Sequence, residues 1–162
     1  MFISDDKEKL QSLNFKLNFN YICTVTRIMA IDYGTKRIGL AVTDPGRIIA
    51  TALDTVHSSK VIEYLKKYLD KEKVEFFVVG EPRQMDNTPS SITPHVEDFI
   101  RKLKIAFPDI PVKRIDERFT SKIATQSLLL NGLKKSDRRN KALVDQRSAV
   151  IILQSYMEMN KS

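Results

Sequence analysis

The sequence predicts an α/β fold in which a mixed five-stranded sheet carries helices on both faces. Three strand-like segments follow one another from residue 27, and helix-like and strand-like segments alternate after them. Strands joined by short turns pair antiparallel, whereas strands separated by a helix pair parallel. The predicted order is therefore three strands, a helix, a strand, a helix, a strand and two helices.

The first three strands are predicted from hydrophobic alternation and from turn residues. Arg27–Asp32 forms the first, and residues 38–43 alternate between large apolar and small or polar side chains, the period-2 pattern of a half-buried strand. Asp44-Pro45-Gly46 is a strong turn signal, and residues 48–56 follow it as the third strand.

The remaining elements are predicted from changes in period. Apolar residues recur at helical spacing from Val61 to Leu69, and the apolar run 74–79, ended by Gly80, is typical of a central strand. The further predictions are a helix over 96–107, a short strand over 112–116, a helix from Thr120 to Leu130, a basic loop over 134–141 and a final amphipathic helix over 142–159.

Composition indicates one globular domain with a basic surface. The chain has 162 residues, of which 42% are hydrophobic and 29% are charged. Lys and Arg number 27 against 20 Asp and Glu, giving a formal charge of +7, which favours a polyanionic partner such as nucleic acid.

The compartment and the domain boundary are also predicted from the sequence. Cys23 is the only cysteine, so no internal disulfide forms and a reducing compartment is expected. No apolar run approaches the roughly 20 residues of a membrane helix, and no secretion signal is visible, so we expect a cytoplasmic protein with no membrane partner. Residues 1–26 follow no clean period and are predicted to be a poorly ordered N-terminal extension of a domain that spans 27–162.

Asp32 is the first candidate for chemistry. It ends a predicted strand and precedes Gly34, which can adopt the positive φ of a sharp turn. An isolated Asp-x-Gly is more often a turn residue bonded to its own backbone. Thr35, Lys36 and Arg37 follow, however, and such a turn can hold a phosphate while the carboxylate holds a metal ion.

Two further acidic positions lie downstream. Asp116 and Glu117 end a predicted strand, and either one can face the site, since this short strand alternates poorly. Asp145 begins the apolar stripe of the last helix, where it is either a partner of the helix dipole or a metal ligand.

Cations surround these acids. Arg118 follows the second acidic position, and a basic run precedes the third. Such a run is usually a solvated loop, but here it can bind a nucleic-acid backbone. The predicted nucleic-acid contacts are Thr35, Lys36, Arg37, Arg118, Lys134, Lys135, Arg138, Arg139 and Lys141.

Three acids on three separate elements can hold two divalent ions for phosphodiester hydrolysis. The predicted catalytic residues are Asp32, Asp116, Glu117 and Asp145. The predicted ligands of Mg²⁺ or Mn²⁺ are Asp32, Glu117 or Asp116, and Asp145. No Walker loop, dinucleotide fingerprint or hydrolase triad order is visible.

Four segments in this order and spacing resemble the bacterial YqgF family, whose members are called pre-16S rRNA nucleases or Holliday junction resolvase-like proteins. The segments are Asp32–Gly39, Val79–Pro82, Asp116–Thr120 and Val144-Asp145. The resemblance implies an RNase H-like sheet in strand order 3-2-1-4-5, with acids at Asp32, at Asp116 or Glu117, and at Asp145. Arg147 departs from the small residues that usually follow the last acid.

The leading hypothesis is a metal-dependent nuclease in 5′-end processing of pre-16S rRNA, which belongs to ribosome biogenesis. One alternative is a Holliday junction resolvase acting on four-way DNA, and another is an RNA-binding assembly factor without catalysis. The expected partners are pre-rRNA or branched DNA and ribosomal particles, and the protein is expected to be a monomer or a homodimer.

Overall fold

Five strands form one mixed sheet in the computed structural model, which describes residues 26–81, 92–116 and 141–160. The elements in chain order are β1 (Arg27–Tyr33), β2 (Arg37–Thr43), β3 (Ala50–His57), a 3-10 turn (Ser58–Lys60), α1 (Val61–Leu69), β4 (Val74–Glu81), α2 (Thr93–Ala106), β5 (Val112–Asp116) and α3 (Lys141–Met159).

The strand order is β3-β2-β1-β4-β5, which confirms the predicted order 3-2-1-4-5. The two hairpin-linked pairs, β1–β2 and β2–β3, are antiparallel, whereas β1–β4 and β4–β5 are parallel. The mixed sheet follows from the connections, because a helix between two strands returns the chain to the end of the sheet where the previous strand began, so that the next strand runs parallel.

Helices cover both faces of the sheet, as predicted. On one face, Met29, Ile31 and Phe77 pack with α1 and α2 in the larger core. On the other face, α3 packs on small side chains such as Ala30 and Ala41. Successive residues of β1 alternate between these two cores, as the pleat of a strand requires.

The third strand begins two residues later than predicted. The Asp44 carboxylate accepts hydrogen bonds from the backbone amides of Gly46, Ile48 and Ile49, at 2.9, 2.7 and 2.6 Å. These bonds hold residues 44–49 as a loop, so Ile48 and Ile49 remain outside β3 with 77% and 62% of their surface exposed. An Asp side chain that bonds nearby amides competes with strand pairing.

The ends of the helices also refine the predictions. The last helix begins at Lys141, a residue that the sequence placed in the basic loop. The predicted helix from Thr120 to Leu130, most of that basic loop and nearly all of the 1–26 extension lie outside the described residues. In the described ranges, no helix has the length and apolar character to cross a bilayer.

Candidate active site

Asp32 lies near the end of β1, on the face of the sheet that α3 covers. It follows Ile28 and Ala30, both of which belong to the α3 core, and it is half-buried. Its partner across the antiparallel pair is Gly39 of β2. The first predicted acid is therefore fixed on a central strand, where the backbone has little freedom to move.

The turn after Asp32 requires a glycine, but for a different reason from the one predicted. The φ angle of Gly34 lies outside the left-handed region, and a Cβ at this position would lie 2.4 Å from the carbonyl oxygen of Arg37. The side-chain hydroxyl and the backbone amide of Ser58 donate to the carbonyls of Thr35 and Lys36, at 2.8 and 3.1 Å. These contacts hold the turn, and the Thr35 and Lys36 side chains project into solvent.

Asp145 reaches the same face through a close approach of α3 to β2. A Cβ built on Gly39 would lie 2.1 Å from the Asp145 carbonyl oxygen, so only a glycine allows the helix backbone to rest there. The Thr55 hydroxyl on β3 donates to the carbonyl of Ala142 at 2.8 Å and anchors the start of the helix. A glycine inside a strand often marks such an approach, and this signal in the sequence could have identified Gly39 as part of the site.

Gly39 thus connects the two acids, which are more than a hundred positions apart in sequence. Paired antiparallel Cα atoms lie about 5 Å apart, so the Asp32 and Asp145 Cα atoms lie within roughly 12 Å of each other. That separation is within the reach of two carboxylate side chains toward a shared pair of ions.

An arginine already pairs with Asp145. The Nε–H of Arg37 on β2 donates to Oδ2 of Asp145 at 2.9 Å, and the two side chains are 41% and 27% exposed. The sequence predicted a phosphate contact for Arg37, and reasoning from the sequence missed this ion pair.

Asp116 lies on the opposite face of the sheet. It is the last residue of β5, beside Glu81 of β4, and its neighbour Ile115 packs in the α3 core. Since consecutive residues of a strand face opposite ways, Asp116 shares its face with Arg114, which binds Glu97 of α2. The structure therefore does not bring Asp116 to the face that carries Asp32 and Asp145.

Of the other predicted site residues, the structure describes Lys141, and it also describes Arg147, the departure from the family pattern. Lys141 is exposed at the start of α3, and Arg147 lines a cleft of about 370 Å³ between α3 and residues 50–52 of β3. Two helical positions after Asp145 correspond to about 200° of rotation, which turns Arg147 away from that carboxylate. The remaining positions lie outside the described residues: Glu117, Arg118, Lys134, Lys135, Arg138 and Arg139.

The donor set partly fits a divalent cation. Asp32 and Asp145 supply carboxylate oxygens, which Mg²⁺ prefers as ligands. Asp145 already pairs with one positive group, the Arg37 guanidinium. Over residues 26–81, 92–116 and 141–160, no three acids, histidines or cysteines converge to complete a site. A third ligand would therefore come from another part of the chain or from the substrate.

Comparison with known proteins places this geometry in context. Residues 26–159 match the family described as "RuvX: Holliday junction resolvase". A protein of Christiangramia forsetii, named "Putative pre-16S rRNA nuclease", is 51% identical over 133 residues, which cover 82% of this chain and 98% of that protein. A Flavobacterium psychrophilum protein of the same name is 53% identical over 131 residues, which cover 81% and 96%.

A solved structure is also similar in fold. The structure titled "T. thermophilus RuvC in complex with Holliday junction substrate" superposes with a TM-score of 0.55 at 16% identity, covering 83% of this chain and 96% of that one. At this identity the similarity shows an RNase H-like fold and leaves the substrate open.

Proposed function

The chain belongs to the RuvX (YqgF) family, and from that membership we propose that it is a divalent-metal-dependent nuclease that processes the 5′ end of pre-16S rRNA. The names of its relatives support the reaction and the RNA substrate. The basic net charge of +7 agrees with a polyanionic substrate.

The observation that carries the proposal is that Asp32 and Asp145 both lie next to Gly39. Asp32 projects from a central strand, and the helix backbone at Asp145 lies directly on Gly39, the strand partner of Asp32. Two acids held on rigid elements suit a metal site better than acids on loops, because the packing around them fixes their orientation.

The register of β5 favours Glu117 over Asp116 as the third acid. Asp116 shares the α2 face with Arg114, whereas Asp32 and Asp145 lie on the α3 face. The other acidic position that the sequence offers at this strand end is Glu117. We therefore assign metal ligation to Asp32, Glu117 and Asp145, with Asp116 outside the set.

Each group has a separate role in the proposed reaction. Divalent ions held by the acids would lower the pKa of a bound water and stabilise negative charge on the phosphate. Lys36 and Thr35 are exposed on the turn beside Asp32, where they can bind the phosphate backbone on either side of the scissile bond. The basic residues before α3 would add contacts that strengthen binding without reading sequence.

The experiment is cleavage of a precursor 16S rRNA fragment with Mn²⁺, followed by gel mapping of the new 5′ end. Asp32→Asn and Asp145→Asn should each reduce cleavage by at least two orders of magnitude while RNA binding persists. The control is Asp98→Asn on α2, an exposed acid that pairs with Lys102 at 2.7 Å and should leave cleavage unchanged.

The assignment of the third acid is tested in the same assay. Glu117→Gln should abolish cleavage, and Asp116→Asn should retain most of it. Wild-type protein that binds the RNA but does not cut it would favour an assembly factor without catalysis. Equal cleavage by wild type and Asp32→Asn would refute the metal site.

A second candidate function is resolution of four-way DNA junctions, which the description of the matching family favours. Resolution needs paired nicks and therefore a two-fold dimer. Two measurements test junction resolution: sedimentation of the protein with a synthetic junction gives its oligomeric state, and cleavage of that junction gives the positions of the nicks. A dimer that makes symmetric nicks would support junction resolution, and a monomer that cuts only RNA would reject it.

A further inference from the structure

The ion pair between Arg37 and Asp145 lies within the proposed metal site. Oδ2 of Asp145 accepts from Nε of Arg37 at 2.9 Å. Arg37 is two residues before Gly39 on β2 and so shares its sheet face, the same face as Asp32. Arg37 also begins β2, directly after the turn that follows Asp32, so its guanidinium joins Asp145 to the strand next to Asp32.

From this geometry we propose that Arg37 acts as a switch between two partners: it occupies Asp145 when no metal is bound, and it is released to the substrate phosphate when a divalent ion binds. The inference rests on the proposed function, since it needs Asp145 to ligate metal. It identifies Arg37 as a positioning residue whose two partners are a carboxylate and a phosphate.

The first step in the argument is electrostatic. A divalent ion held by Asp145 and a guanidinium on the same carboxylate are like charges in close contact, and they repel. The site is only partly exposed, with 27% of the Asp145 side chain accessible, so solvent screens this repulsion less than on an open surface. Metal binding and the Arg37 contact therefore compete.

The second step is the chemistry of the arginine. The ion pair uses one of the five N–H donors of the guanidinium, which matches phosphate oxygens as well as it matches a carboxylate. Arg37 is 41% exposed, so its side chain has room to turn toward a nucleic acid at the surface. The substrate phosphate would then accept the hydrogen bond from the Arg37 guanidinium that the metal ion displaces from Asp145.

The third step is the strength of the pair. Partly exposed ion pairs are weak, so this one can hold Asp145 in place and still yield to a divalent ion. Removing Arg37 should therefore tighten metal binding by about two- to fivefold, because the ion no longer competes with the guanidinium.

The test measures Mn²⁺ affinity by calorimetry in the absence of nucleic acid, for wild type, Arg37→Gln and Lys36→Gln. Lys36→Gln is the matched control, because this substitution removes one exposed positive charge from the adjacent position on the turn. We expect tighter Mn²⁺ binding for Arg37→Gln than for Lys36→Gln. Equal affinities in the two variants, or weaker binding in Arg37→Gln, would overturn the inference.

A second readout follows the arginine itself. The Arg37 Nε–H resonance in a ¹⁵N-labelled sample is assigned by its absence in Arg37→Gln. Its chemical shift should change as Mg²⁺ is added, and the midpoint of that change should equal the midpoint of metal binding. A resonance that stays constant at saturating Mg²⁺ would contradict release of the guanidinium.

The outcomes separate this inference from the proposed function. If wild type binds Mn²⁺ and Asp32→Asn does not, the metal site stands, and the behaviour of Arg37→Gln alone decides the inference. If wild type binds no Mn²⁺, the metal site of the proposed function fails and the inference fails with it.

Discussion

Replacing Gly39 with alanine should displace α3 and separate the two acids of the site. The added Cβ would lie 2.1 Å from the carbonyl oxygen of Asp145 and 2.5 Å from its carbon. Nonbonded carbon atoms settle about 3.5–4.0 Å apart, so the helix backbone would have to move by roughly 1 Å or more. The obstacle is backbone rather than a flexible side chain, so a rotamer change cannot relieve it.

The displacement has two consequences. Overpacking of this kind costs about 1–3 kcal/mol of unfolding free energy. At about 2–4 °C per kcal/mol for a chain of this size, the melting temperature should fall by roughly 2–12 °C. A 1 Å misplacement of Asp145 should also reduce cleavage on the order of a hundredfold, a loss greater than the change in stability explains.

The assay combines thermal unfolding with cleavage of the precursor RNA at a temperature where the variant is still folded. Gly46→Ala is the control, since the atoms nearest its Cβ would belong to side chains, with Oδ2 of Asp44 at 2.9 Å and Cδ1 of Ile48 at 3.5 Å. Gly46→Ala disturbs the Asp44 carboxylate, so it can also lower the melting temperature, but it leaves α3 in place. If Gly39→Ala cuts as well as Gly46→Ala, then the site does not depend on this contact and the reasoning is wrong.

Two further predictions concern the scaffold. Phe77→Ala removes a fully buried ring that contacts Phe107, and it should lower the free energy of unfolding in denaturant by about 3–5 kcal/mol. The control Ile105→Ala changes a side chain that is 76% exposed and should alter stability little. Similar costs for the two variants would contradict the placement of the core. The backbone amide of Ile49, with those of Ile48 and Gly46, holds the pKa of the Asp44 carboxyl below its usual 3.8. The Asp44 charge therefore stabilises the fold above pH 3.8, and this stabilisation is lost as the pH falls through the lowered pKa. The melting temperature of wild type should therefore exceed that of Asp44→Asn at pH 7, and the difference should shrink below pH 3.8; a difference that stays constant down to pH 3 would contradict the role of the charge.

Local patterns predicted the strands because their causes are local. The alternation over residues 38–43 places β2, and the apolar run 74–79 places β4, since burial on one or both faces leaves a direct trace in the sequence. The start of β3 was wrong by two residues because the Asp44 carboxylate captures the amides that a strand would use. Apolar side chains at 48 and 49 gave no sign of that competition.

The sequence also supplied the acids, but not their arrangement. Asp32 and Asp145 could be named from a strand end, a helix start and a family resemblance. Whether Asp116 shared their side of the sheet depended on the register of β5 against β4, which the short, poorly alternating segment 112–116 does not encode.

What the sequence determined by itself is the order of the described elements and the candidate acids, because periodicity and turn chemistry act over a few neighbouring positions. The strand order came from the family resemblance. Only the tertiary structure decided that Gly39 brings α3 onto β2, and that Arg37 meets Asp145 across 108 positions. Periodicity fixes which side of a helix is buried, but the depth and the rotation at which that helix rests on a sheet depend on the size of every side chain between them.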